Sequence, residues 1–365
     1  MQEKAFRTPV QQKIGSHLLY AQKMKHGVPI AAGVDQLEVS LQTDATERVL
    51  VDITAGFSKD LIRAIEAAGG TVVYAGRNAK SIRAWLPLDN VDTIAGRGEV
   101  RFIQPAIRAM TQGKLRTLAQ NISQGVVAHR VDQARSTYGA SGAGVKIGVM
   151  SDSVDYLSAV QSAGDLPDVT VLPGQDGRPG SGEGTAMLEI VHDLAPDAQL
   201  YFATAFNGVS SFADNIIALR NAGCDIIVDD VFYFNESPFQ DAPIAQAVNT
   251  VTSDGALYFS SAGNQGSVLK NSSGSWEGDF VDSGMPIPGI SGQLHLFASG
   301  ANSDPITMTG SGYVTLFWSD PLGASSNDYD LFLIDGGGFV RASSTDLQDG
   351  FSDPFEIVGG GSAGR

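Results

Sequence analysis

The sequence is poor in cysteine and in positive charge, and both shortages exclude classes of protein. Its 365 residues contain one cysteine, Cys224, so neither an internal disulfide nor a cysteine-rich zinc site can form. Lysine and arginine number 24 against 40 aspartates and glutamates, which gives a net charge of −16. A field of this sign repels nucleic acid and anionic lipid headgroups, so we expect neither as a partner.

Long hydrophobic runs are also lacking. No apolar run approaches the roughly 18 residues of a membrane-spanning helix, so we expect no membrane partner. The start, Met1 to Lys4, lacks the basic and then apolar order of a secretory signal, so a signal would have to lie outside this sequence. The glycine-rich end, 359–365, follows a strand-like run with nothing to close a domain. We therefore expect a fragment of a longer chain.

The first third of the chain predicts one small module between two less regular segments. Residues 1–46 are polar, with weak helical periodicity around His17 to Met24, and are interpreted as a lead-in segment. Over 47–110 the apolar pattern gives the order strand, helix, strand, strand, helix, strand, which is typical of a ferredoxin-like βαββαβ module. The stretch 111–127, which contains Gln, Thr and Ser, is expected to be an exposed linker.

The rest of the chain predicts two further units. Strands and helices alternate singly over 128–274, which indicates an α/β domain with a parallel sheet. Past residue 274 the helices stop, and short alternating runs over 275–358 predict a small β-sandwich, whose first strand is Gln293 to Phe297.

Four polar clusters lie in the α/β domain. Three follow predicted strands, and one begins a predicted helix. They are Ser151-Asp152-Ser153, Gly182-Glu183-Gly184-Thr185, Asp229-Asp230, and the run from Ser260 to Gly266 that contains Asn264. In parallel sheets, ligands bind beyond the carboxyl ends of the strands. We therefore expect these clusters to meet at one sheet edge.

Taken in order, these segments resemble the subtilisin-like serine peptidases of the subtilisin/sedolisin superfamily. The resemblance rests on Ala128 to Ala134 with Val145 to Met150, on Gly182 to Thr185 with Leu194-Ala195-Pro196, on Asp225 to Val228, and on Ser260 to Gly266. It covers roughly residues 48 to 266. It implies a parallel-sheet subtilisin-like α/β core, preceded by a ferredoxin-like inhibitory prodomain and followed by an inserted β-sandwich.

The resemblance also implies roles for four residues. Asp152 would be the triad aspartate, although Ser151 stands in a register where that aspartate could also fall. Glu183 occupies the position of the histidine base, and Asn264 that of the side-chain donor to the oxyanion. Asp230 lies where the family's substrate-lining strand begins, and we interpret it as a substrate-lining or accessory acid.

Glu183 is the main departure from the subtilisin pattern. Sedolisins use a glutamate base, but their aspartate one turn later is Met187 here, and they replace the oxyanion asparagine by aspartate. With an ordinary pKa of ~4.3 a glutamate is a weak base. A desolvated carboxyl neighbour, Asp152 or Asp230, would raise at least one of the pKa values, so we expect a mildly acidic optimum.

The expected nucleophile is missing from the sequence. The family's Gly-Thr-Ser motif does not occur, and Ser362 lies in a glycine-rich end where no helix can follow it. We therefore predict a serine endopeptidase precursor whose nucleophile follows residue 365, and which is inactive in this form. The resemblance implies protein or peptide substrates, the prodomain as an intramolecular partner, and an extracellular or cell-surface location.

Other interpretations stay open at this point. One is a catalytically inactive subtilisin-fold protein whose β-sandwich binds a surface protein or glycan, and another is a glycosidase that uses Asp152 and Glu183. Asp152, Glu183 and Asn264 are also plausible as turn or cap residues. No cofactor is firmly predicted, but one cluster could bind calcium through oxygen ligands: Asp320, Asn327, Asp328 and Asp330.

Overall fold

The computed structural model describes residues 3–76, 80–111, 123–264, 266–270, 272–287, 290, 292–307 and 312–360. Its N-terminal elements are α1 (Ser16–Lys25), β1 (Arg48–Ala55), α2 (Lys59–Ala67), β2 (Thr71–Gly76), β3 (Ser81–Pro87), α3 (Val91–Ala95), β4 (Val100–Pro105) and β5 (Met110–Thr111). Strands β1 to β4 form an antiparallel sheet in the order β2-β3-β1-β4. From β1 to β4, the elements follow the predicted order.

Helix α2 shows how the sequence forms the N-terminal sheet layer. The hydroxyl of Ser58 accepts a hydrogen bond from the amide of Leu61 at 2.9 Å, which satisfies a donor of the first turn. Leu61 and Ile65, one turn apart, are fully buried against the sheet. The helix ends before Gly69, whose φ of +79° lies in the left-handed region.

The segment predicted as a lead-in contributes to the core of the same sheet. Ile14, Leu18 and Leu19 are buried with the apolar residues of β1, β3 and β4. Most of the predicted linker, residues 112–122, lies outside the described residues, and its described end contains a short helix, α4 (Gly125–Ala128).

The α/β region contains a five-stranded parallel sheet, which confirms the predicted fold class. Its elements are α5 (Val131–Tyr138), β6 (Lys146–Ser151), α6 (Leu157–Ala163), β7 (Val169–Val171), α7 (Glu183–Leu194), β8 (Gln199–Thr204), α8 (Val209–Asn221), β9 (Ile226–Asp229), β10 (Val231–Phe232), α9 (Pro243–Ser253) and β11 (Leu257–Ser260). The order is β11-β9-β6-β8-β7, with β6 at the centre. Helices α6 and α7 share one apolar cluster with this sheet, and α8 and α9 share another.

The N-terminal module attaches to the α/β region beside the carboxyl end of β9. Strand β5 pairs antiparallel with β10, with Thr111 opposite Val231 and Met110 opposite Phe232. Nearby, the hydroxyl of Tyr74 donates a hydrogen bond to Asp214 on α8 at 2.5 Å. The described C-terminal end of the module therefore lies directly against the strand that follows Asp230.

The C-terminal region contains four strands among its described residues. They are β12 (Gly312–Phe317), β13 (Leu331–Ile334), β14 (Val340–Ser344) and β15 (Phe355–Gly360), and they form two antiparallel ladders, β12-β15 and β13-β14. The prediction of a strand over Gln293 to Phe297 was wrong. His295 forms an isolated bridge with Asp282 there, and its ring packs against Trp276 and Phe297. The complete β-sandwich stays a prediction.

Replacement of Leu61 by alanine tests the packing of the N-terminal module. The change removes a fully buried side chain, so we expect the free energy of unfolding of this module to fall by about 2–5 kcal/mol. Arg63→Ala is the matched control, because that side chain is exposed on the same helix and should change stability by less than about 0.5 kcal/mol. Equal losses in the two variants, measured by denaturant unfolding, would contradict the packing described here.

Candidate active site

Asp152 follows the central strand β6 and holds the start of α7. One carboxylate oxygen, Oδ1, accepts hydrogen bonds from the backbone amides of Ser153 at 2.5 Å, Glu183 at 3.0 Å and Gly184 at 3.4 Å. The other oxygen accepts from the amide of Ser181. A carboxylate at this place satisfies orphan helix donors and complements the helix dipole. Asp152 therefore fixes the position of the turn that presents Glu183.

Glycine next to Glu183 allows α7 to approach the sheet closely. A Cβ atom on Gly184 would meet the ring of Phe202 and the carbonyl oxygen of Ser153. Gly182, just before the helix, has a φ of +80°, which favours glycine. The first turn of α7 thus lies against β6 and β8, and this packing brings the side chain of Glu183 to the carboxyl edge.

The carboxyls of Glu183 and Asp230 form a buried pair at this edge. Glu183 is 9% exposed and Asp230 is 8% exposed. Burial, first, and then the adjacent carboxyl of Glu183 raise the pKa of Asp230 to about 8. Two carboxyls buried side by side disfavour double ionisation, so Asp230 keeps its proton to a higher pH than a solvated aspartate does.

Asp229, beside Asp230, links the ends of two neighbouring strands. Its Oδ1 accepts hydrogen bonds from the Ser260 hydroxyl at 2.9 Å and from the amide of Val231 at 3.2 Å. Burial raises the pKa of Asp229, and its charge adds to the rise at Asp230. The bond with Ser260 ties β11 to β9 next to the pair, and the bond with Val231 fixes the turn into β10.

Asn264 lies four residues beyond β11, the strand next to β9, and it is exposed. Gly263 before it has a φ of +77°, as expected for a turn at the strand end. Asn264 and Asp230 thus follow neighbouring parallel strands. The role of Asn264 as an oxyanion donor stays a prediction.

Three of the four predicted site residues, Asp152, Asp230 and Asn264, follow strands of the parallel sheet, and Glu183 begins helix α7. Their contacts differ from those expected from the sequence. Asp152 bonds to the backbone amide of Glu183, whereas Asp230 contacts its carboxyl. Met187, at which the resemblance to sedolisins led us to look for an acid, is a partly buried residue that packs against the apolar cluster under α7.

Ser151 is the residue that the sequence reasoning did not assign to the site. It is fully buried, its hydroxyl has no hydrogen-bond partner among the described residues, and its proximity lowers the pKa of Asp230 against the larger effects of burial and of Glu183. The signal that could have found it was the register at the end of β6, where Ser151 and Asp152 competed for one position.

The acids proposed for calcium are engaged within the chain. The carboxylate of Asp320 accepts hydrogen bonds from Asn327 and from the amide of Ser326, and these lower its pKa. Asp328 and Asp330 bind the ammonium of Lys4. Within the ranges that the structure describes, no group of three His, Cys, Asp or Glu side chains could hold a metal ion.

Comparison with known proteins gives relatives among the alkaline proteases. No family model matches the chain. An alkaline protease of Alkalihalobacillus alcalophilus and one of Shouchella clausii are each 27% identical to it over 180 residues, or 45% of this chain and 45% of the relative. The chain therefore matches less than half the length of these relatives.

Two solved structures are also similar. Fervidolysin from Fervidobacterium pennivorans, a keratinolytic enzyme related to subtilisin, is 14% identical with a TM-score of 0.36, over 62% of this chain and 41% of that one. The epidermin leader peptide processing serine protease of Staphylococcus aureus is 12% identical with a TM-score of 0.41, over 64% and 63%.

Among the helices in the described parts of the chain, none has both the length and the apolar character that crossing a membrane requires.

Asp230→Asn tests the buried pair through stability. The folded-state pKa of about 8 lies above the ordinary 3.8, so this group's stabilising contribution is present below about pH 4 and is lost as pH rises towards 8. The amide mimics the protonated acid and does not titrate. We expect the variant to lose less stability over this window, by at least about 1.4 kcal/mol, the equivalent of one pKa unit.

Denaturant unfolding at several pH values between 4 and 8 measures this difference. Asp60→Asn is the control, because Asp60 lies on the exposed face of α2 and should leave the profile unchanged. Parallel profiles for wild type and Asp230→Asn would show that Asp230 carries no raised pKa.

Gly184→Ala tests the close approach of α7. The added methyl group meets a ring and a backbone carbonyl, so we expect a loss of about 1–3 kcal/mol in the free energy of unfolding. Gly56→Ala places its methyl group in open space and serves as the control in the same thermal unfolding series. A loss no larger than that of the control would mean that the packing can relax.

Proposed function

We propose that this chain is the precursor part of a serine endopeptidase in which Glu183 and Asp230 together act as the general base. The observation that carries the proposal is the buried contact between these two carboxyls at the carboxyl edge of the parallel sheet. Perturbed titration at such an edge is a mark of functional sites. The similarity to alkaline proteases over 180 residues supports the peptidase class.

The two carboxyls divide the work of the base. Asp230 keeps its proton, because its pKa is raised to about 8. Glu183 then lies beside a neutral neighbour and accepts the proton of an attacking serine hydroxyl. The serine oxygen then attacks the peptide carbonyl, and Glu183 returns the proton to the leaving amine.

The other site residues support this chemistry. Asp152 positions the first turn of α7 through its bond to the amide of Glu183. Asn264 would donate a hydrogen bond to the oxyanion, a contribution worth about 3–4 kcal/mol in transition-state stabilisation. Ser151 cannot be the nucleophile, because it is fully buried. We propose that the nucleophile serine follows residue 365 in the complete protein.

Strand β10 is our proposed binding strand for the substrate. It begins directly after Asp230 and pairs with β5, the extended end of the N-terminal module. A peptide could pair with the same backbone groups once β5 leaves, as in recognition by strand addition. On this proposal the module 47–110 acts as an inhibitory prodomain, and the substrates are peptides or proteins encountered outside the cell.

The test is Glu183→Gln in the complete protein. Glutamine keeps the shape but cannot accept the proton, so we expect kcat/KM for a peptide substrate to fall by about 10³-fold or more. Glu189→Gln is the matched control, since Glu189 lies on the same helix but outside the pair, and it should keep activity within about threefold.

Two results would overturn the proposal. One is peptide hydrolysis by Glu183→Gln at the rate of Glu189→Gln. The other is the absence of peptide hydrolysis by the complete wild-type protein, which would favour the binding-protein alternative. Labelling of residues 1–365 by a fluorophosphonate probe would overturn the narrower statement that the nucleophile lies beyond this chain.

A further inference from the structure

A dense set of hydrogen bonds joins the N-terminal segment 3–46, here called the anchor, to strands β12–β15 and their connections, here called the β module. Thr345 is at its centre and is 2% exposed. Arg7 donates to its carbonyl oxygen at 2.8 Å and to its hydroxyl at 2.9 Å. The hydroxyl of Tyr20 lies 2.6 Å from the same hydroxyl.

The start of α1 continues this contact. The amide of Ser16 donates to Asp346 at 2.6 Å, and the amide of Thr345 donates to the Ser16 hydroxyl at 3.1 Å. A ring nitrogen of His17 lies 3.1 Å from the carbonyl oxygen of Ser343. Each of these bonds joins residues more than 300 positions apart in the sequence, so the contact is tertiary and specific.

Charge and apolar packing add to the hydrogen bonds. The ammonium of Lys4, with 13% of its side chain exposed, binds Asp330 at 2.8 Å and also Asp328. Arg7 is itself paired with Glu3, and both are buried. Tyr20, Ile30 and Leu37 form a small apolar cluster of the anchor, against which Val340 of β14 packs.

The N-terminal region, which comprises the anchor and the module 47–110 that shares its apolar core, is thus held at two separate places. One is the edge of the parallel sheet, where β5 pairs with β10 and Tyr74 bonds to Asp214. The other is the anchor on the β module. The second place lies outside the strand pairing that would block substrate, so it stays available after β5 leaves the sheet edge.

We propose that the β module is a second docking surface for the prodomain, which it binds through the anchor and retains after the connection through 112–122 is cut. This inference rests on the proposed function for its regulatory meaning, since a retained prodomain delays activation. Two linked contacts raise the effective concentration at each, so release requires both to open.

The experiment uses the full chain with a recognition sequence for a site-specific protease placed within 112–122. The cut is made by the added protease, so the result does not depend on any activity of the chain itself. We expect the two fragments of the wild type to co-elute in size-exclusion chromatography. The rate of fragment release after dilution is then measured for variants of the anchor.

Lys4→Glu should release the fragment about tenfold faster or more, because it places like charges opposite Asp328 and Asp330. Lys25→Glu is the matched control. It reverses a charge on the same anchor but breaks an ion pair with Asp89 inside the N-terminal module, so we expect a change of less than about twofold. Thr345→Val, which keeps the side-chain shape and removes the hydroxyl bonds, should also accelerate release.

Separation of the wild-type fragments immediately after cutting would overturn the proposal. So would release from Lys4→Glu and Thr345→Val at the rate of Lys25→Glu. Thermal unfolding of the uncut variants checks that each one folds. Failure of the peptidase proposal would appear in the hydrolysis assay instead and would leave this outcome unchanged.

Discussion

The contact between two buried carboxyls, Glu183 and Asp230, is the constraint on which the rest of the site depends. Two ionised carboxylates at this level of burial would repel each other without water to screen them, so burial and the nearby Glu183 raise the pKa of Asp230 and favour its protonated form. Retention of that proton requires that both groups be held in place. Asp152 holds one side through the start of α7, and the bonds of Asp229 hold the other through β9 and β11.

The partner of the glutamate comes from a strand end and not from the helix that carries the glutamate. Met187, one helical turn after Glu183 on α7, packs against the sheet and carries no charge. An acid at the end of β9 reaches the same place because β9 lies beside β6, and α7 packs on β6. The two carboxyls therefore come from different elements, a helix and a strand end, which the sheet brings to one edge.

Much of the fold was predictable, because strands and helices of the α/β region show clear apolar periods, and parallel strands place their ends together. The sequence could not show that the carboxyl of Glu183 pairs with Asp230 and not with Asp152, because this choice depends on side-chain contacts across the sheet. The anchor was missed for a different reason. The anchor is buried largely through hydrogen bonds to polar groups such as Thr345 and Asp346. Its own sequence therefore shows only a weak hydrophobic periodicity.

The two attachments of the N-terminal module differ in a way that bears on access to the site. The β5–β10 ladder joins two residue pairs, and short ladders open locally at low free-energy cost. The anchor combines a buried arginine with a shared hydroxyl and an ion pair, so its opening must break several bonds of buried polar groups at once. On the proposed function, β5 would therefore leave the sheet edge before the anchor leaves the β module. Substrate access would then depend on local opening beside Asp230, while the module as a whole stays attached.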